Sequence, residues 1–199
     1  MLENRFKTLC QIFSKDTELI SLLWQEIRVA YSNPMRYYHT LKHLEDIYKE
    51  LHSFRVNPLI EFAISYHDII YDIKRDDNEE QSALLAKKRL EELNVPSTLI
   101  EEVSQLIIET KTHKDSFEMN ALFLDADLSI LGSSQKRYKE YLQNVRKEYA
   151  FYDDSTYFCG RKKVLEMFLD KEKIYGSKYF YDKYEERARE NILMEYNWL

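Results

Sequence analysis

Only three glycines and three prolines interrupt the 199 residues of this chain. So few breakers leave little room for the tight turns of a many-stranded sheet or for long irregular loops. Between them Leu, Glu, Lys and Ala recur at helical spacing, which predicts an all-α protein. The breakers mark helix ends. Ser32, Asn33 and Pro34 close a second helix, and Pro34 sits near the start of a third. Pro58 opens a fourth, Asn78 caps a fifth with Gln81 three residues on, and Gly132 closes a seventh. The expected helices cover about 3–13, 17–31, 35–53, 58–71, 78–93, 97–111, 118–131, 134–149, 153–174 and 178–196, with Phe158, Cys159 and Gly160 a candidate interruption of the ninth. A polar break lies over 112–116. No segment rich in Gly, Pro or Ser separates domains, so the expectation is one domain, a bundle of about eight to ten helices, with 134–199 as a C-terminal extension packed on the core.

Charge narrows the function. Thirty-five acids against 29 Lys and Arg give a net charge of −6, with both signs mixed along the chain. That balance argues against a long nucleic acid as partner. Clusters such as Lys87, Lys88 and Arg89 read as solvated helix faces. No stretch approaches the roughly 20 apolar residues that span a bilayer. The first residues do not read as a signal peptide, so the expected location is the cytoplasm. Cys10 and Cys159 form no metal-ligand spacing. The sixteen tyrosines suit helix packing with hydroxyls at the edge, and association of like chains stays open.

Chemistry concentrates at His67 and Asp68. They follow Phe62, Ala63 and Ile64 and precede Ile69 and Ile70, so a histidine and an acid stand where an apolar helix should run. Buried charge needs a partner, and a divalent metal suits both residue types. On a helix the two side chains differ by about 100° but can still converge on one ion at the edge between them. The alternative is a core histidine bonded to a carboxylate.

Other candidates surround the doublet. His39 and His43 are four apart on the expected third helix, half of a metal-site pattern but without the glutamate of the protease signature. Asp125 and Asp127 interrupt an apolar run. On a helix Asp127 has Phe123, Leu124, Ile130 and Leu131 around it and points inward, whereas Asp125 is less enclosed. His113 falls in the polar break, and His52 reads as an ordinary helix-end histidine. Nitrogen and oxygen donors without thiolates suit Mn, Fe, Ni, Co or Zn, with Mg open.

The ordered set of His39, the His67–Asp68 pair and Asp127 on successive helices resembles the HD superfamily of metal-dependent phosphohydrolases. The resemblance is strongest to small bacterial proteins described as predicted metal-dependent HD superfamily phosphohydrolases. It covers nearly the whole chain and includes the segments 31–39, 67–71, 78–83, 124–132, 146–149 and 185–191. It implies an HD-like helical domain with His39, His67, Asp68 and Asp127 as metal ligands. His43 and His113 are candidates for a second site, so one or two ions are open. The implied activity is hydrolysis of a small phosphomonoester or phosphodiester, a nucleotide among the candidates, by metal-activated water. Asp68 would orient that water or take its proton. Arg36 and Lys42 are candidates to hold phosphate, Arg146 and Arg161 weaker ones, and Glu80, preferred over Glu79, a supporting acid. The rivals are a metal- or nucleotide-binding module without turnover, a di-iron enzyme that activates oxygen, and a helical protein that only associates.

Overall fold

The computed structural model describes residues 1–113 and 118–199, so the expected break over 112–116 lies partly outside the described residues. Among them are ten α-helices, one 3-10 turn and no strand. The chain divides into two compact units, Met1–Lys114 and Asp115–Leu199. The division falls ahead of residue 134, the expected start of the extension.

The first unit holds α1 (Leu2–Cys10), α2 (Thr17–Tyr31), α3 (Leu41–Glu50), α4 (Pro58–Tyr66), α5 (Asn78–Glu92) and α6 (Ser97–Glu109). Helix α4 is apolar apart from Glu61 and Ser65, and a helix so apolar belongs in the middle. Ile60, Phe62, Ala63, Ile64 and Tyr66 are fully buried, and α1, α3, α5 and α6 all pack against it. Each large side chain so buried contributes about 1.5–3 kcal/mol relative to exposure. Pro58 opens α4 as expected, with the Asn57 side chain accepting from the Ile60 N–H. Helix α5 packs most extensively on α6. It ends on Asn94 in the left-handed region (φ 59°), with the Val95 N–H reaching back to the Leu90 carbonyl.

Several helix ends differ from the sequence expectation: the first helix stops at Cys10 rather than 13 and the ninth at Leu169 rather than 174, and two further differences lie at the candidate site. The third helix starts at Leu41, not near 35, because the Thr40 side chain caps it by accepting from the Lys42 N–H. His39 therefore lies before the helix, and His39 and His43 do not share a helix face. The fourth helix ends at Tyr66, so His67 and Asp68 occupy its C-terminal turn rather than its interior. Another correction concerns Asn78. It is the first residue of α5, preceded by Asp77, and its side chain instead exchanges two hydrogen bonds of 2.9 Å with the backbone of Asp72.

The second unit holds α7 (Glu118–Asp127), the 3-10 turn Leu128–Ile130, α8 (Gln135–Glu148), α9 (Asp154–Leu169) and α10 (Lys178–Trp198). Helix α9 runs unbroken through Gly160. Phe123, Tyr138, Leu165, Tyr175, Phe180 and Ile192 form buried parts of this unit. Inside it Arg161 makes two bonds of 2.7 and 3.0 Å to Glu195, which also accepts from the Tyr138 hydroxyl at 2.6 Å. Gly132 lies so close to α10 that a Cβ there would stand 2.5 Å from the Cβ of Tyr184. No helix among the described residues is long and apolar enough to cross a membrane. Cys10 and Cys159 are both free thiols.

Candidate metal centre

The end of α4 carries His67 and Asp68, two of the three residues that could hold a metal ion. A helix C-terminus leaves carbonyls without helical partners, and buried ones must find donors elsewhere. Here side chains supply them. His67 Nδ1 bonds the Ile64 carbonyl at 3.0 Å, and a carbonyl only accepts, so Nδ1 carries the hydrogen. The ring is thereby held with Nε2 on the other side. Arg36 donates to the carbonyls of Asp68 (2.7 Å) and Ile69 (3.0 Å). Ser82 on α5 both accepts from the Ile70 N–H (3.1 Å) and donates to the Ile70 carbonyl (3.3 Å). The Asp68 N–H donates to the Tyr31 hydroxyl at 3.2 Å. Every residue from His67 to Ile70 is tied by a side chain from another segment or by its own ring.

Three ligand atoms meet on this scaffold. His67 Nε2 lies 3.1 Å from Asp68 Oδ2 and 3.2 Å from His43 Nε2, and His43 Nε2 lies 3.9 Å from Asp68 Oδ2. Three points with those separations lie on a circle of radius about 2.0 Å, the bond length of a first-row transition ion to imidazole nitrogen or carboxylate oxygen. The donor set fits such an ion in chemistry as well as in size, with two imidazoles and one carboxylate and no thiolate. His43 and His67 are buried, whereas the Asp68 side chain is 19% exposed and faces the edge.

His43, which the resemblance assigned to a second site, is the histidine that stands with the doublet. His39 sits beside the trio: its ring packs on Tyr71 (centroids 4.3 Å apart, 31° between planes) and lies 5.9 Å from the His43 ring. Tyr38 packs on both histidines, 4.9 Å from His39 and 5.1 Å from His43. His113 follows α6 with a left-handed backbone (φ 48°), and its N–H closes the helix on the Glu109 carbonyl at 2.8 Å. His52 is exposed at the end of α3, as its sequence context suggested.

Asp127 and Asp125 reverse the expected burial. Asp125 is 3% exposed and accepts from the Gly176 N–H (2.9 Å), the Ser177 N–H (2.7 Å) and the Ser177 hydroxyl (2.5 Å). Asp127, the last residue of α7, is only partly buried. The helical-face rule fails because the chain tightens into a 3-10 turn at Leu128, which rotates Ile130 and Leu131 off the face of Asp127. Asp127 belongs to the second unit, and a ligand role for it rests on the resemblance alone.

The charged candidates occupy different positions. Lys42 is exposed and pairs with Asp46 one turn on. Arg146 bonds Asp154 and the carbonyls of Tyr149 and Tyr152, and Arg161 is committed to Glu195, so both have structural partners in the second unit. Glu80 pairs with Lys111 at 2.7 Å, and that hydrogen bond holds its carboxyl below the usual range. Glu79 behaves oppositely. Burial pushes its carboxyl up, Lys111 at 4.0 Å opposes this, and the negative charge of Asp68 adds to the rise. Glu79 thus feels the charge of Asp68. Its place in the first turn of α5, three residues before the Ser82 that grips Ile70, was the available sign.

Comparison with protein-family models, with curated proteins and with solved structures found no match.

Proposed function

We propose that the chain is a metal-dependent hydrolase of small phosphate esters, with the metal held by His43, His67 and Asp68. The observation that carries this is the mutual approach of three ligand atoms at 3.1–3.9 Å on a backbone whose polar groups are paired around them. A divalent ion from Mn to Zn, bound there, supplies charge to polarise a phosphoryl oxygen and to lower the pKa of water.

The chain's own groups then divide the work. His43 and His67 close the buried side against solvent. Asp68, at the exposed edge, orients the attacking water and accepts its proton. Lys42 stands at an exposed position in the first turn of α3, one residue before His43, and can leave Asp46 for a phosphate. A small phosphorylated substrate fits this reading better than a long nucleic acid, given the net charge of −6. The two free thiols fit a reducing compartment such as the cytoplasm.

The test is a substrate screen with matched metal. Protein stripped by chelator and reloaded in turn with Mn, Fe, Co, Ni and Zn is offered phosphomonoesters, cyclic diesters and nucleotides. Turnover that disappears with His67→Ala and with chelator is expected. Metal bound stoichiometrically with every ester untouched would reduce the protein to a binding module. Turnover that requires iron and oxygen would make it an oxygen-activating enzyme.

A further inference from the structure

We infer that Arg36 is a positioning residue: its guanidinium fixes the backbone that presents His67 and Asp68, and so sets the affinity of the centre for its metal. This rests on the reading of His43, His67 and Asp68 as that centre.

Arg36 Nη1 donates to the Asp68 carbonyl at 2.7 Å and to the His39 carbonyl at 3.3 Å, and Nη2 donates to the Ile69 carbonyl at 3.0 Å. One rigid planar group thus joins two segments 29 to 33 residues apart in the chain, the approach to α3 and the exit from α4. The same group lies over the rings of Tyr31 (5.0 Å) and Tyr71 (5.3 Å). Tyr31 accepts the Asp68 N–H, and Tyr71 packs on His39, so both rings beside the guanidinium also touch the metal-site segments. Arg36 as a whole is only 9% exposed, and its Nε is buried. A group that met substrate phosphate would present its fork to solvent, whereas this fork is turned onto backbone carbonyls. Lysine cannot replace it, because an ammonium on a flexible stem lacks the planar fork that spans three carbonyls.

The position of Asp68 Oδ2 depends on this clamp. Metal–ligand geometry tolerates only a few tenths of an ångström before affinity falls, and supporting contacts of this kind commonly change it 10- to 100-fold. Calorimetric titration of the chelator-stripped protein with Zn²⁺ tests this. Helical content is followed by circular dichroism, and inorganic phosphate is then titrated into the zinc-loaded proteins. Arg36→Gln is expected to weaken Zn²⁺ binding at least tenfold, with phosphate affinity unchanged at equal zinc occupancy. Arg36→Lys is expected to fold and still to lose several-fold, so it carries the test if the glutamine variant fails to fold. Arg89→Gln is the control for general weakening. It removes the Glu26 ion pair within the same unit without touching the doublet, and is expected to leave Zn²⁺ affinity within twofold of the parent. Unchanged Zn²⁺ affinity in Arg36→Lys overturns the inference, as does phosphate affinity falling while zinc affinity holds. An equal loss in Arg89→Gln overturns it too. If the parent protein itself takes up no zinc or other first-row ion, the inference falls together with the metal-centre reading. Failure in the Arg36 variants alone leaves that reading standing.

Discussion

His43 Nε2 stands 3.2 Å from His67 Nε2, although 24 residues separate the two in the chain. The first comes from the opening turn of α3 and the second from the residue that ends α4. Two buried imidazoles facing each other beside a carboxylate form an arrangement that a divalent ion stabilises, and the surrounding backbone bonds hold it in place.

Asp125 is a buried acid that holds the turn before α10. Asp125→Ala leaves the N–H groups of Gly176 and Ser177 and the Ser177 hydroxyl without their acceptor. Hydrogen bonds to a charged group contribute about 1.5–3 kcal/mol each, so a loss of about 3 kcal/mol or more is expected on urea unfolding followed by circular dichroism. Asp127→Ala, at a partly exposed position, is expected to cost less.

Gly132→Ala is expected to destabilise the second unit by about 1–3 kcal/mol, the usual cost of forcing a methyl group into a packed contact. The added carbon would meet Tyr184 at 2.5 Å from its Cβ and 2.8 Å from its backbone oxygen, and backbone cannot swing aside. A thermal midpoint equal to the parent's would contradict the close approach of Gly132 and α10.

Glu79 gives the metal-free protein a pH signature. Burial raises its folded-state pKa above the unfolded value. The neutral acid is thus favoured on folding, and the stability it contributes is present below the unfolded pKa and is lost as pH rises through the folded pKa. In chelator-stripped protein, Glu79→Gln is therefore expected to melt higher than the parent at pH 7, and the gap should close as pH falls below about 4. A gap that widens on acidification would reverse the assigned sign.

Much of this architecture is legible in the sequence, because helix type follows from local pattern. All ten expected helices are present among the described residues, and Pro58 opens the fourth as expected. Besides the early stops of α1 and α9, two misread ends lie at the site. Thr40 and His67 terminate helices through bonds that a periodicity rule does not see: a side-chain cap at one, and carbonyls taken by Arg36 and Ser82 beyond the other. The His67–Asp68 pair was visible as polar residues in an apolar run. That His43 meets it was not, because the position of His43 depends on where α3 begins. Asp125 was misjudged for a related reason, since its partners lie 51 and 52 residues away in a turn that no helical wheel includes.

The most direct measurement is elemental analysis of the protein purified without chelator, alongside His43→Ala, His67→Ala and His52→Ala. The proposed His43–His67–Asp68 centre predicts about one first-row transition ion per chain in the parent and in His52→Ala, and its loss from His43→Ala and His67→Ala with helical content retained. Metal content that is the same in all four proteins, or absent from the parent, would contradict it.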